Sequence, residues 1–240
     1  MFQLFRLSIL LAFVFLISGC ATLQNTDLES ILGGGAGNEL DEATVLAGLK
    51  EALKVGSSNA VNSTSTVDGF LGNALIRIAV PEQLDSAAST LRNVGLGSYV
   101  DELEVAMNRA AEQASGQARG LLWDAVTSMT IGDAFGILRG HETAATDYFR
   151  LRTEDQLRVR FRPMVAEQTE SVGLGRLYGN LADTYARLPL SGKPELVDLD
   201  AYVTEKALVG LFTVLAEEEQ AIRQSPAART TELLRKVFGS

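Results

Sequence analysis

The residues with the clearest potential for chemistry are Asn108, Arg109 and Glu112, which lie in an alanine-rich stretch of predicted helix. Asn108 and Glu112 are four residues apart, so their side chains share one face of that helix. Arg109 is able to pair with an acid. Two interpretations stay open, a buried hydrogen-bond network that is satisfied within the fold and the polar lining of a ligand pocket.

A predicted ligand cleft combines these polar groups with aromatic side chains from later in the chain. Its apolar wall consists of four aromatic residues, Trp123, Phe135, Tyr148 and Phe149. Its polar contacts come from Asn108, Arg109, Glu112 and Arg139. Because small-molecule sites are mostly apolar with a few placed polar groups, this combination predicts an apolar or amphipathic ligand.

One basic cluster occurs in this acidic chain, with arginines at positions 150, 152, 158, 160 and 162. Arg158 and Arg162 are one helical turn apart, and they predict a docking point for an anion such as a phosphate or a lipid headgroup. The alternative is a solvated face on which these arginines pair with Glu154, Asp155 and Glu167.

Residues typical of catalysis or metal binding are sparse. His141 is the single histidine, which excludes a multi-histidine zinc site, and no Gly-x-Ser-x-Gly elbow supplies a nucleophile. Asp198 and Asp200 resemble part of a calcium loop, but the glycine and the terminal glutamate of that loop are missing. We therefore predict no catalytic residue, no metal site and no cofactor.

Helical periodicity runs through the chain from Leu40 onward, and these helices must position the residues above. Alternating strand patterns and Asn-Gly hairpins are absent from the sequence. The predicted fold class is therefore all-α, an irregular bundle of eight to nine helices in a single domain. For residues 70–80, a short helix and a turn are favoured over a short strand.

Cap and stop residues set the predicted helix boundaries. One long helix is predicted over 98–126, opened by the capping-box spacing of Ser98 and Asp101. Thr130 caps a short helix that ends at Gly140, and Gly95 ends the helix that begins at Pro81. The other predicted helices span 41–62, 142–152, a segment from Thr153 with a kink or restart at Pro163, 176–187, 201–224 and 226–238.

The first twenty residues have the pattern of a bacterial lipoprotein signal. Residues 7–17 form an apolar run of 11 residues, which is too short for a bilayer span of about 20 and suits a signal peptide. The sequence Ile-Ser-Gly-Cys at 17–20 resembles a lipobox, which implies cleavage before Cys20 and acylation of that residue. The predicted organisation is a signal peptide over 1–19, a lipidated cysteine and flexible tether over 20–38, and a helical domain over 39–240.

This anchor predicts where the protein is located. In lipoproteins of enteric type, an aspartate after the lipidated cysteine resembles an inner-membrane retention signal, and here that residue is Ala21. We therefore expect the periplasmic face of the outer membrane, with acyl chains on Cys20 as the attachment. The net charge of −9, from 21 basic and 30 acidic residues, argues against nucleic acid as a partner.

Five motifs occur in order along the helical domain. They are MNRAAE at 107–112, SMTIGDA at 128–134, AATDYF at 144–149, FRP at 161–163 and DLDAYVTEKAL at 198–208. Together they resemble the bacterial family catalogued as domain of unknown function 4197, from about residue 40 to the C-terminus. The resemblance implies a secreted, helical and often lipidated protein, and it transfers no catalytic residue.

These observations predict an envelope lipoprotein that is non-catalytic and binds an apolar or amphipathic small molecule or a partner protein. One alternative is a scaffold for envelope assembly that has no pocket. Another is a hydrolase that uses carboxylates, since Asp101 and Glu104 are three residues apart and share a helix face. A pocket with convergent polar groups favours binding, whereas two close carboxylates in a cleft favour the hydrolase.

Overall fold

The computed structural model describes residues 42–171, 173–189 and 197–224. Regular structure in these ranges is helical and includes no β-strand, which confirms the all-α fold class. The helices are α1 (Glu42–Ser65), α2 (Asp85–Asn93), α3 (Ser98–Ser115), α4 (Ala118–Thr127), α5 (Ile131–Arg139), α6 (Ala144–Ser171), α7 (Leu174–Ala186) and α8 (Leu199–Gln224), with a 3-10 turn at Glu82–Leu84. The predictions for the signal peptide, Cys20, the tether and a helix over 226–238 lie outside the described residues.

Helix α8 lies at the centre of the bundle because it packs against α6, α1 and α3. Val203, Ala207 and Leu211 are buried at helical spacing along it, as expected for a stripe that faces the core. The described helices belong to one compact unit, Asp41–Ser240. A chain that begins at residue 21 therefore retains every described residue of the core.

The predicted long helix over 98–126 is wrong in one respect, because the structure divides it into α3 and α4. Helix α3 ends at Ser115, and Gly116 follows as its C-cap. Helix α4 begins at Ala118. Glycine is about 1 kcal/mol less favourable than alanine inside a helix, which makes Gly116 a natural point for the interruption.

The predicted boundary at Thr153 is also wrong, because α6 continues without a break from Ala144 to Ser171. Thr153 is buried, and its hydroxyl donates to the carbonyl of Phe149 at 2.7 Å. This bond to residue i−4 is an ordinary use of threonine inside a helix. Pro163 lies inside α6, so the helix does not restart there as the sequence suggested.

Two predicted caps have different outcomes. Thr130 forms a full capping box with Asp133 at the start of α5, which confirms the prediction for Thr130. The predicted box of Ser98 and Asp101 is not formed, since the N-cap of α3 is Gly97 without a side-chain cap. The carboxylate of Asp101 pairs instead with Arg92 at 3.3 Å.

No single helix in the described ranges is long and apolar enough to cross a membrane. Ser98–Thr127 and Ile131–Arg139 meet that test of length and composition only as a pair, which is bent by 105°. Both members of the pair contribute buried residues to the core, among them Leu103, Leu122 and Ile137.

Candidate functional site

Asn108 is fully buried on α3 and bonds to the segment that joins α1 to α2. Its Oδ1 accepts from the N–H of Ile78 at 2.9 Å. Its Nδ2 donates to the carbonyl of Ile78 at 2.8 Å and to that of Glu104 at 2.7 Å. Because an amide nitrogen has two hydrogens, Asn108 retains no donor for a ligand.

Glu112 lies one turn further along α3 and holds the same segment. Its Oε1 accepts from the N–H groups of Phe70 at 3.1 Å and Leu71 at 3.2 Å. Its Oε2 accepts from Arg109 Nη1 at 2.6 Å, and Arg109 Nη2 donates to Asp68 Oδ1 at 2.7 Å. The hydrogen bonds to Glu112 and then to Asp68 raise the pKa of the Arg109 guanidinium above its usual value.

Asp68 lies in the left-handed backbone region, with a φ of 66°. Aspartate tolerates this region better than most residues, and the ion pair with Arg109 fixes its side chain. The three sequence-predicted residues Asn108, Arg109 and Glu112 therefore do come together. They form a network that is satisfied within the fold and that fastens residues 68–78 to α3.

The four aromatic residues are distributed over different contacts. Tyr148 and Phe149 meet edge to face, with ring centroids 6.2 Å apart, and Phe149 is buried in the core. Burial also raises the pKa of the Tyr148 hydroxyl above its usual value, and this hydroxyl donates to the carbonyl of Ala125 at 3.1 Å.

The other two aromatic residues of the predicted cleft, Phe135 and Trp123, each lie beside a cationic side chain. The guanidinium of Arg139 lies 5.2 Å from the ring centre of Phe135. The ammonium group of Lys54 lies 6.0 Å from the ring centre of Trp123. The contacts described here join these aromatic residues to Ala125, Lys54 and Arg139, and none of them involves Asn108 or Arg109.

A different cavity includes Arg109, and we name it the α3–α7 groove. It has a volume of about 440 Å³ and is lined by Ser98, Asp101, Glu102, Val105, Ala106, Arg109 and Leu177. Val105 remains 40% exposed at its floor. None of the four predicted aromatic residues lines this groove. Sequence analysis did not predict Val105 and Leu177 as site residues, because Val105 lies outside the buried stripe of α3 and Leu177 belongs to another helix.

Two of the charged residues that line the α3–α7 groove, Asp101 and Arg109, form ion pairs with residues beside it. At one end, Arg92 bonds to Asp101 and to Glu104, each at 3.3 Å, and Arg77 pairs with Glu104 at 3.3 Å. At the other end, Arg109 pairs with Glu112 and Asp68. Glu102 is exposed and makes no side-chain hydrogen bond or ion pair to any described residue.

The arginines of the predicted anion site on α6 already pair with carboxylates of this chain. Arg158 bonds to Glu205 at 2.6 Å and to Asp155 and Glu154 at 2.9 Å. These bonds, with Glu205 as the largest favourable contribution, raise the pKa of Arg158 above its usual value. The other predicted residue, Arg162, pairs with Asp198 at 3.1 Å. This pattern favours the paired, solvated face over an anion site.

His141 lies in an exposed local cluster rather than in a pocket. Its Nε2 is 3.1 Å from Asp147, and its Nδ1 is 3.2 Å from the hydroxyl of Thr143. No group of three or more His, Cys, Asp or Glu residues within the described ranges is arranged to hold a metal ion.

A second cleft, of about 660 Å³, contains the carboxylates of Glu170, Asp198 and Asp200. Asp198 accepts from the N–H of Ala201 at 2.9 Å at the start of α8. Asp200 accepts from the hydroxyl of Thr169 at 2.6 Å. Both aspartates thus bond to residues at the junction of α6 and α8.

Glu219 is a buried polar residue that sequence analysis did not single out. It is only 8% exposed, and its carboxylate accepts from the N–H groups of Ala145 at 2.9 Å and Thr146 at 2.8 Å. Arg223 Nη2 lies 2.8 Å from the same carboxylate. Its spacing of three residues from buried Ile222 was the available signal, because that spacing places both on one helix face.

The family described as "Protein of unknown function (DUF4197)" matches residues 39–239. No curated protein and no solved structure matches the chain.

Proposed function

The chain belongs to the DUF4197 family, and we propose that it is a non-catalytic envelope lipoprotein that binds an amphipathic small molecule in the α3–α7 groove. Acyl chains on Cys20 attach it to the periplasmic face of the outer membrane in this proposal. The lipobox-like sequence at 17–20 supports the anchor. The groove supports the binding function.

The single observation that carries the binding proposal is the composition of the groove. Its volume of about 440 Å³ falls within the range of about 300–1,000 Å³ that is usual for small-molecule sites. Val105, Ala106 and Leu177 form an apolar floor, and charged side chains stand at both ends. An apolar chain with a polar head is the ligand type that satisfies both features.

The affinity of such a groove is modest. An apolar ligand gains about 0.8 kcal/mol for each methylene that it buries, and it loses part of this gain to the entropy of association. The groove is open on one side, as the exposure of Val105 indicates. We therefore expect dissociation constants between micromolar and millimolar for simple ligands.

The test is a titration of the chain from residue 21 onward with 1-octanol, in which NMR chemical shifts report binding. Val105→Gln replaces the exposed valine with a polar residue of good helix propensity. It is expected to weaken octanol binding about fivefold, which corresponds to about 1 kcal/mol or roughly one methylene of burial.

Val159→Gln is the matched control, since Val159 is exposed on α6 and does not line the groove. It is expected to leave octanol binding unchanged. If octanol does not bind, or if the two variants have equal effects, the groove is not the binding site and the proposal is wrong.

A further inference from the structure

We propose that the ligand of the α3–α7 groove carries a cationic head group, which the carboxylates beside Val105 recognise. This inference rests on the proposed function and adds the sign of the ligand's charge. Sequence analysis gave Arg109 only as a polar contact and left the charge of the ligand open.

Arg109 is not available as an anion receptor. Its Nη1 lies 2.6 Å from Glu112 and its Nη2 lies 2.7 Å from Asp68. Glu112 is buried and is fixed by two backbone N–H groups, so it cannot move aside to release Arg109. An anion that entered this end of the groove would meet two carboxylates around one guanidinium.

The opposite end of the groove also has an excess of negative charge. Arg92 and Arg77 share the carboxylates of Asp101 and Glu104, which balances that set. Glu102 is additional, exposed and without a cationic partner among the described residues. The charged residues that line the groove are therefore two acids, Asp101 and Glu102, and one base, Arg109, and Arg109 already pairs with Glu112 and Asp68.

The geometry of α3 places the negative end next to the apolar floor. Asp101 and Glu102 are one helical turn before Val105 and Ala106, a rise of about 6 Å. A head group at Glu102 thus allows an alkyl chain to lie over Val105 and against Leu177. The floor contains only these few apolar side chains, whereas an amphipathic peptide helix needs anchors over several turns. We therefore commit to a small molecule as the occupant.

The test compares three eight-carbon probes below their micellar concentrations, namely octyltrimethylammonium, 1-octanol and octyl sulfate. The cation is expected to bind most tightly and the anion least tightly. Glu102→Gln is expected to weaken octyltrimethylammonium binding about two- to fivefold, the range for an exposed charge pair. The same variant is expected to leave octanol binding unchanged.

Glu142→Gln is the control, because it removes one exposed acid that does not line the groove. It separates a local contact with Glu102 from a general effect of net charge, and it is expected to change no affinity. Added salt is expected to weaken binding of the cation and not of octanol, since salt screens exposed charges.

The outcomes of this test separate the two proposals. If octyl sulfate binds more tightly than octyltrimethylammonium, or if Glu102→Gln and Glu142→Gln act alike, the cationic head is wrong while the binding function stands. If Val105→Gln alters the binding of none of the three probes, the proposed function itself is wrong. Binding of a basic amphipathic peptide at the groove, with none of the small probes bound, would overturn the choice of occupant.

Discussion

Glu219 illustrates how a single side chain connects distant parts of this fold. It lies on α8, and it accepts hydrogen bonds from the first turn of α6, 73 and 74 residues away in sequence. A carboxylate at a helix N-terminus satisfies free N–H groups and complements the helix dipole. This partnership explains why Thr146 donates its hydroxyl to Glu219 at 2.9 Å.

We predict that Glu219→Gln lowers the free energy of unfolding by about 3 kcal/mol, the lower end of the cost of breaking a buried ion pair. The amide removes the charge that pairs with Arg223 and turns an NH₂ group toward backbone donors. Urea denaturation followed by circular dichroism measures the change. Glu217→Gln, at an exposed neighbour, is expected to stay within about 0.5 kcal/mol of the wild type; equal effects would contradict the role of Glu219.

The carboxylate of Asp133 at the start of α5 makes the stability of the protein depend on pH. This carboxylate accepts from the backbone N–H of Thr130 at 2.9 Å and from the Thr130 hydroxyl at 2.8 Å. These bonds, the backbone one first, lower the pKa of Asp133 below its usual value. A lowered folded-state pKa adds stability that is complete above the unfolded-state pKa and is lost as the pH falls through the folded-state value.

Asp133→Asn is therefore expected to be less stable than the wild type by about 0.5–1 kcal/mol at neutral pH. The difference is expected to shrink as the pH falls from about 5 through the folded-state pKa, because both proteins then lack the charge. Thermal unfolding at a series of pH values measures it. Asp124→Asn, at an exposed aspartate, serves as the control, and a difference that is independent of pH would refute the assignment.

At the residue scale, the sequence predicts caps better than partners. Thr130 and its capping box are local, since the two residues are three apart in the chain. The environment of Glu219 depends on a contact between α8 and α6, and no spacing within α8 contains that information. The network of Asn108 and Glu112 is partly predictable. Their spacing shows that they share a helix face, but it does not show that they bond to residues 68–78.

Among the elements, the connection between α1 and α2 depends on the helices that it crosses. Phe70 is buried, and its ring packs directly on the backbone of Gly210 in α8. Glu112 of α3 holds the backbone N–H of the same residue at 3.1 Å. Two helices thus fix this segment, one through hydrogen bonds and the other through close packing that needs a glycine.

We predict that Gly210→Ala destabilises the protein by about 1–3 kcal/mol, because the added methyl group overlaps the Phe70 ring and forces repacking. Gly136→Ala, in the interior of α5, is the matched control, since an added methyl group there has no neighbour within 4 Å. It is expected to stabilise the protein by about 0.5–1 kcal/mol through helix propensity. Denaturant unfolding of both variants measures the contrast, and changes of the same sign would contradict the packing argument.

Helix boundaries were predictable where glycine or a true cap marks them. Gly95 has a φ of 80° shortly after α2 ends at Asn93, as expected of a helix stop. Thr153 has the spacing of a cap, but the apolar contacts of α6 continue past it to Leu157 and Phe161. Tertiary packing therefore overrides a local signal that has the correct residue types.

For the whole molecule, hydrophobic periodicity is sufficient to predict the fold class, but it is not sufficient to predict the site. The buried residues of α3 and α8 recur at helical spacing, so an all-α bundle follows from sequence. The α3–α7 groove joins Val105 to Leu177, which are far apart in the chain. Such a site depends on how the helices are arranged, and that arrangement is not encoded in the period of either one.

The location of the molecule gives a further prediction. Cys20 is the single cysteine, so Cys20→Ser is expected to abolish incorporation of labelled palmitate in cells. Ser18→Ala keeps a small residue before the cleavage site and is expected to retain the label. Immunoprecipitation followed by autoradiography measures both variants. A label that persists in Cys20→Ser would contradict acylation at this position.

The most direct test of the binding function is to map where an amphipathic probe contacts the molecule. Amide chemical shifts of the chain from residue 21 onward are recorded during titration with 1-octanol. Binding in the α3–α7 groove predicts saturable shifts at the residues that line it, centred on Val105, Ala106 and Leu177. Shifts that cluster around Trp123 and Phe135, or no saturable shift at all, would contradict it.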